Sequence, residues 1–389
     1  MSEEKYYPGL EGVIAGETAI SSVLGGLQYR GYAIEDLAEN TTFEEVAYLV
    51  LHGDLPSASQ LREFTGRVAA ARSVPKQVID MLRLVPASAP AMDVLRTAVS
   101  MLGHFDPDMG DNSHDANLRK AERLLAKIPT LIAARNRLKH GLEPIAPRGD
   151  QSHAASLLTM LSGKEPPAQH ARALDVSLIL YTEHEFNAST FACRVTASTL
   201  SDVYSAATSG VGTLKGPLHG GANEEAIKVL MEVGGPSNAE PWVRSMFAQK
   251  KLIMGFGHRV YKTVDPRAVI IDRYCKSIAK SRGDESLEQS ADIIENLVKT
   301  EKGLPANVDW PVARLYYYLG LEIELYTPLF VVARIAGWTA HVIEQLDKNR
   351  IFRPMGRYVG AGPRTVVPVA QRGQGCTGAP SKGGSGACG

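Results

Sequence analysis

The chain has no surplus of either charge. Lysine plus arginine and aspartate plus glutamate each number 42 in 389 residues. Nucleic acid or an anionic membrane surface is therefore not the expected partner. An anionic ligand has to be met by a local cluster of cations. Long apolar runs are also missing. Phe330-Val331-Val332-Ala333 is broken at once by Arg334, and no stretch approaches a membrane span. Met1-Ser2-Glu3-Glu4-Lys5 has an early acidic pair with no apolar run behind it, so a secretory signal is not expected. Cysteine is scarce. Cys193, Cys275, Cys376 and Cys388 form no CxxC pair, and two sit in a Gly-rich tail. Reduced thiols in a cytoplasmic protein are the expectation.

Several chemical signatures are missing too. There is no Walker loop and no GxSxG elbow. Two GxGxxG matches, Gly373-Gly375-Gly378 and Gly384-Gly386-Gly389, lie in the tail with no strand before them and no helix after. A dinucleotide site needs that context, so neither counts. His104 to Asp115 holds four aspartates and two histidines. It lacks calcium-loop spacing and the terminal glutamate, and reads as a solvated helix–helix loop. No metal and no redox cofactor is expected.

What is present is mostly helical. Residues 11–34 read as strand and turn, with a hairpin at Gly25-Gly26. Thr42-Phe43-Glu44-Glu45 is a capping box ahead of a helix that Gly53 ends. Helical blocks come next at about 57–71, 75–84, 90–103, 113–138 and 151–161. Strands and helices do not alternate, which argues against a doubly wound sheet. Asn187 to Ser209 is rich in Ala, Ser and Thr, as a closely packed buried or interface helix would be. Thr327-Pro328 predicts the start of a long helix, with Thr as N-cap and Pro at the first position, running to about Lys348. The last 30 residues are Gly-rich and aperiodic, as a flexible tail would be.

Three segments can carry chemistry. In Gly216-Pro217-Leu218-His219-Gly220-Gly221-Ala222-Asn223-Glu224-Glu225, a glycine-flanked His219 precedes a helix. The positive helix end would keep its ring neutral and able to donate a hydrogen bond. A capping loop that happens to hold a histidine is the bland alternative. In Gly255-Phe256-Gly257-His258-Arg259-Val260-Tyr261-Lys262-Thr263-Val264-Asp265-Pro266-Arg267, one histidine sits among three cations. Arginine grips carboxylates through paired hydrogen bonds; a basic surface loop is the alternative. In Asn307-Val308-Asp309-Trp310-Pro311, an aspartate beside a tryptophan would gain basicity if desolvated. An N-cap or Asx-turn explains the same residues.

In this order the three segments resemble the citrate synthase family. The resemblance covers nearly the whole chain. It includes Gly9-Leu10-Glu11-Gly12, Leu27-Gln28-Tyr29-Arg30-Gly31-Tyr32, His184-Glu185-Phe186-Asn187-Ala188-Ser189-Thr190, Ala333-Arg334-Ile335-Ala336-Gly337-Trp338 and Arg353-Pro354. The branch it resembles is the bacterial one that includes 2-methylcitrate synthases. The tail after Pro363 has no counterpart there.

The resemblance implies a mainly α, two-domain helical fold with a short N-terminal β-hairpin. Residues 1–219 and 319–363 would form a large domain, 220–318 a small one and 364–389 a tail. It implies a homodimer that condenses acetyl-CoA, as a co-substrate, with oxaloacetate and hydrolyses citryl-CoA. A 2-methylcitrate synthase using propionyl-CoA is the near alternative, and a non-catalytic ligand-binding homologue the remote one. Asp309 would be the base, His219 the donor to the thioester oxygen, and His258 the donor to the ketone oxygen. Arg267, Arg334 and the partner subunit's Arg353 would hold carboxylates, with His184 and Asn187 in support. Ile253, Met254, Gly255, Phe256 and Gly257 would lie against CoA, and Arg259 and Lys262 would meet its phosphates.

Overall fold

The computed structural model describes residues 6–258 and 260–372. Helices α1 (Ile34–Asn40), α2 (Phe43–His52), α3 (Ala58–Ala71), α4 (Lys76–Leu84) and α5 (Ala91–Gly103) come first. Next are α6 (His114–Lys139), α7 (His153–Ser162), α8 (Ala168–Tyr181), α9 (Ala188–Ser198) and α10 (Val203–Leu214). The last six are α11 (Ala222–Val233), α12 (Pro236–Ala248), α13 (Pro266–Arg282), α14 (Ser286–Lys302), α15 (Asp309–Tyr318) and α16 (Tyr326–Asp347). The mainly α class is as expected. No helix among the described residues is long and apolar enough to cross a membrane.

Local chemistry sets the boundaries of the early helices. Thr42 and Glu45 close the expected capping box on α2, and Ser57 with Gln60 forms a second on α3. The N-terminal hairpin gains a third strand. β1 (Ser21–Ser22), β2 (Gln28–Tyr29) and β3 (Tyr32–Ala33) run antiparallel, with Tyr29 opposite both Ser21 and Tyr32. This small sheet braces the loop between α8 and α9. Ser21 Oγ meets Glu183 Oε1 at 3.3 Å and accepts the Glu185 N–H at 2.9 Å. The Tyr29 hydroxyl donates to the Glu183 carbonyl at 3.0 Å.

Three expectations need correction. The Ala/Ser/Thr-rich stretch is two helices, because Leu200 takes a left-handed φ of 67° and Asp202 caps α10 afresh. The long helix starts at Tyr326, not after a Thr327 cap. A 3-10 turn at Ile323–Leu325 runs straight into it. The Thr327 hydroxyl instead bonds the Glu224 carboxylate. The 104–115 loop is not merely solvated. Asp106 is buried, held by Arg123 Nε and Nη2 at 2.7 Å each and by the Tyr204 hydroxyl.

The core centres on α16, which is buried along almost its whole length and packs against α2, α6, α8, α9 and α10. The expectation of close packing among small residues holds here. A Cβ on Gly210 of α10 would lie 2.6 Å from Cys193 Sγ and 3.0 Å from the Trp338 ring. At Gly337, α16 passes so near the end of α8 that a Cβ would overlap the Thr182 carbonyl and the Glu183 carboxylate.

Residues up to Phe352 form one compact unit and Arg353 opens a second. The second unit is described to Arg372. It is exposed and irregular apart from a short turn at Val369–Gln371. The rest of the predicted tail, with both GxGxxG matches, Cys376 and Cys388, lies outside the described residues.

Gly337→Ala should lower stability by about 1–3 kcal/mol, because the atoms it meets are backbone and a buried carboxylate. Gly66→Ala, on the exposed face of α3 with nothing within 4 Å of the new Cβ, should raise it by about 0.5–1 kcal/mol. Paired urea melts measure both. Equal effects at the two sites would show that α16 does not rest on this contact.

Candidate active site

A two-stranded pairing of loops brings two of the three sequence segments together. Phe256 and Ala306 form an antiparallel bridge. Gly257 N–H donates to the Pro305 carbonyl at 2.8 Å, and Asn307 N–H to the Gly255 carbonyl at 2.9 Å. The Asn307 amide also reaches the Gly257 carbonyl at 3.0 Å. Gly255 cannot be replaced freely: its φ is 92°, and a Cβ would sit 2.9 Å from the Trp310 ring. The consequence is that His258 and Asp309 face one cavity.

That cavity has a volume of about 520 Å³. Its walls include His184, Asn187, His219, Gly257, His258, Arg267, Asp309 and Arg334. Phe330, Leu218, Ala222 and Val308 supply apolar surface.

Asp309 is the first residue of α15, and it does not cap the helix. Asn307 Oδ1 accepts the Asp309 N–H at 3.0 Å, while the N-cap position, Val308, makes no side-chain cap. The Asp309 carboxylate is left for the cavity. Tyr181, at the end of α8, donates its hydroxyl to Asp309 Oδ1 at 2.5 Å. Burial pushes the Asp309 carboxyl up to about 6. The Tyr181 hydrogen bond and the Arg267 charge oppose this, the Asp265 charge adds to it, and Arg334 opposes.

Both imidazoles are held in a defined neutral form. His258 Nδ1 accepts the N–H groups of Val260 at 3.0 Å and Tyr261 at 3.2 Å. The proton therefore sits on Nε2, which is a donor. Burial and then the Arg267 charge lower this ring to about 4, with Asp265 opposing. His219 is the mirror case. Its Nε2 accepts the Ser189 N–H at 3.3 Å and lies 2.8 Å from Ser189 Oγ, so Nδ1 carries the proton. Burial and the Arg334 charge lower it to about 4. The sequence pointed to the helix after His219 as what keeps the ring neutral. The N–H that meets the ring belongs to α9, however, and not to the helix after His219.

The cations are anchored differently. Arg267 is tied through Nε and Nη2 to Asp265, at 3.0 and 2.9 Å, leaving Nη1 outside that pair. Arg334 donates from Nε to the Tyr181 carbonyl at 2.7 Å, and its buried Nη1 has no hydrogen-bond partner. A buried guanidinium on the wall of a cavity, with a nitrogen not bonded to the protein, suits an anionic group. His184 Nε2 lies 3.2 Å from the Tyr261 hydroxyl, and its ring meets His258 edge-on, centroids 5.2 Å apart. Burial, then the charges of Arg267 and Arg334, hold it well below the usual imidazole range. Between His184 and Asn187, Glu185 adopts a φ of 54°, a strained conformation common at ligand sites. Asn187 caps α9.

The predicted CoA residues divide. Gly257 lines the cavity, whereas Ile253, Met254, Gly255 and Phe256 are not among its walls. Phe256 packs on Trp310 with ring centroids 4.7 Å apart. Lys262 is exposed, with Nζ 3.4 Å from the His258 carbonyl. Arg259 lies outside the described residues. Arg353 belongs to the second unit, where it is exposed. Sequence reasoning passed over Tyr181, Ser189 and the buried Glu183–His341 pair, 3.1 Å apart. None of these has a sequence signal of its own, because each acts across more than a hundred residues or through a backbone group.

A mainly α fold enclosing a desolvated carboxylate, two neutral imidazole donors and two buried guanidinium groups defines an acid–base enzyme for anionic substrates. The family model described as "Citrate synthase, C-terminal domain" matches residues 9–355. Citrate synthase 2 of Bacillus subtilis is 44% identical, over 94% of this chain and 98% of the relative. A 2-methylcitrate synthase of Shewanella oneidensis is also 44% identical, over 94% and 97%. The citrate synthase of Thermoplasma acidophilum, solved in a ternary complex with carboxymethyl coenzyme A and oxaloacetate, superposes with a TM-score of 0.89. It is 33% identical and the match covers 95% of this chain and 100% of that one. The chain belongs to the citrate synthase family.

Asp309 should titrate near pH 6 in a carboxyl-resolved NMR or infrared experiment. Tyr181→Phe removes the strongest opposing interaction, so the midpoint should move upward. A midpoint that stayed put or fell would show that the Tyr181 bond does not govern this carboxyl.

Proposed function

We propose that this chain condenses a short acyl-CoA with oxaloacetate, with acetyl-CoA giving citrate as the first reading. The observation that carries it is the state of the three groups around one cavity. Asp309 is a carboxylate of raised basicity, and His219 and His258 are neutral donors through Nδ1 and Nε2. A thioester α-proton is weakly acidic, so its removal needs a base and a donor where oxyanion charge develops. Asp309 takes the α-proton. His219 Nδ1–H donates to the thioester oxygen and stabilises the enol or enolate. The new carbon–carbon bond forms at the oxaloacetate ketone, whose oxygen receives a proton from His258. Hydrolysis of citryl-CoA then releases citrate and CoA. Arg267 and Arg334 hold the oxaloacetate carboxylates, with His184 as a further donor and Asn187 in support. CoA runs along the Ile253–Gly257 loop toward Arg259 and Lys262. No metal or redox cofactor enters any of these steps.

The same reading carries an arrangement. Residues 220–318 form a small domain that closes on a large one built from 1–219 and 319–363, excluding water before enolisation. What supports this division is that the cavity walls come from both stretches of sequence. The working form is a cytoplasmic homodimer in which Arg353 reaches the site of the other subunit.

A second reading has its own support. A relative named 2-methylcitrate synthase is as similar as one named citrate synthase, and propionyl-CoA needs the same catalytic groups.

Release of CoA thiol from acetyl-CoA or propionyl-CoA with oxaloacetate tests the function, and initial rates side by side separate the two readings. Asp309→Asn should lower the rate by about 10²–10⁴ and leave oxaloacetate binding by calorimetry nearly unchanged. More than about half the activity remaining would take Asp309 out of the base role.

The shared site has a separate test. Arg353→Ala and Asp309→Ala homodimers should both be almost inactive. Unfolded, mixed equally and refolded, they should recover roughly a quarter of wild-type activity, because half the dimers are hybrids with one intact site. No recovery, with hybrids confirmed by mass spectrometry, would place Arg353 in its own chain's site.

A further inference from the structure

Asp265 is buried, with 1% of its surface exposed, and its carboxylate accepts four hydrogen bonds. Oδ1 takes the Arg267 backbone N–H at 3.1 Å and its Nε at 3.0 Å. Oδ2 takes Arg267 Nη2 at 2.9 Å and the backbone N–H of Val308 at 3.1 Å. The first of these is an ordinary N-cap on α13, with Pro266 at the first helical position. A cap needs only one oxygen. The second oxygen is spent on two groups that have nothing to do with capping α13. One is Nη2 of Arg267, a residue of the cavity wall. The other is the backbone N–H of Val308, the residue immediately before Asp309 and 43 residues further along the chain.

We infer that Asp265 is a positioning residue, whose single buried carboxylate fastens the Arg267 clamp and the Asp309 segment to each other. The roles of Arg267 and Asp309 in this statement rest on the function proposed above. The linkage extends to the imidazole wall. The Arg267 guanidinium lies over the Tyr261 ring at 5.5 Å, and that ring stacks on His258 at 4.7 Å. The clamp, the base and the donor thus share one rigid support. Charge-assisted, paired contacts fix orientation as well as energy, and an active-site group misplaced by about 1 Å can cost 10²-fold in rate. Asp265 also acts through space. Its charge raises the Asp309 carboxyl, while Tyr181 from α8, Arg267 from α13 and Arg334 from α16 lower it. Tyr316, on α15 itself, also lies in its field, and His184, His219 and His258 line the same cavity.

Asp265→Ser separates capping from positioning. Serine is a good N-cap but is too short to reach Val308 or grip a guanidinium. If Asp265 only caps α13, the variant should keep KM, kcat and pH profile near wild type, and that result would overturn the inference. If it positions, KM for oxaloacetate should rise about tenfold or more as the paired contact is lost. kcat should also fall, and the acid limb of kcat, set by Asp309, should move to lower pH. The downward sign arises because a negative charge is removed while Arg267 and Arg334 remain.

Val308→Pro is the complementary variant. The backbone of Val308 already has φ −58°, which suits proline; the N–H to Asp265 is deleted, and the pyrrolidine ring keeps an apolar group at this buried position of the cavity wall. It should lower kcat about tenfold and leave KM for oxaloacetate within about twofold, because the Arg267–Asp265 pair persists. Should Asp265→Ser fail to fold, this variant decides alone, and wild-type kinetics would reject the link. A wild-type chain that releases no thiol would instead refute the proposed function. The Asp309 carboxyl titration, which needs no turnover, would then judge Asp265: a midpoint unmoved in Asp265→Ser would reject it.

Discussion

The near-contact of α16 with the end of α8 is the constraint on which the site is built. Gly337 presents no side chain where a Cβ would strike the Thr182 carbonyl and Glu183. That closeness lets Arg334 Nε reach the Tyr181 carbonyl at 2.7 Å. It also sets His341 Nε2 3.1 Å from Glu183, both side chains wholly buried. The Glu183 carboxylate in turn accepts the His184 N–H at 2.7 Å. One helix crossing thus fixes an arginine, the backbone that carries His184 and the residue whose hydroxyl holds Asp309. A buried polar pair adds little net stability, because desolvation offsets much of its attraction. Its value here is geometric: it admits one arrangement of the loop after α8.

Burial then does two opposite things to the titratable groups, and both suit the proposed chemistry. It raises the carboxyl of Asp309 and lowers the imidazoles of His184, His219 and His258. In water near neutrality an aspartate is a feeble base and a histidine is partly cationic. In the cavity the base is stronger and the donors are neutral, with the protons of His219 and His258 assigned by what the other ring nitrogen accepts. The guanidinium groups cannot escape burial by losing their protons. Arg267 is compensated by Asp265, and Arg334 is left with an unmet donor. The cavity wall therefore keeps a guanidinium donor for an anionic group without a large net charge on the protein.

Much of this was legible in the sequence, and the unread part has a common cause. Capping boxes, glycine stops and the His258 motif are local signals, written within about a dozen residues. Helix starts and the identity of the three chemical segments came from them. The partners of those segments were not legible. Tyr181 is 128 residues from Asp309, and tyrosine at a helix end has many ordinary uses. Ser189 acts on His219 through its backbone N–H, which every residue except proline has. The start of α16 was misread because Thr-Pro is a good local start, yet tertiary contact turned the Thr327 hydroxyl toward Glu224. Asp106 was read as solvated because burial by Arg123 and Tyr204 depends on how α6 and α10 pack.

The choice between acetyl and propionyl donors rests on a different layer of the structure. Asp309 is held by Tyr181, His219 by Ser189, His258 by Val260 and Tyr261, and Arg267 by Asp265. None of these contacts is altered by one more methylene on the acyl group. Discrimination must come from the apolar wall, where the Phe330 ring packs 4.1 Å from that of Tyr181 and 6.5 Å from that of His219. A wall of this kind separates homologues by only about 1–3 kcal/mol. Relatives with either name can therefore be equally similar to this chain, each 44% identical.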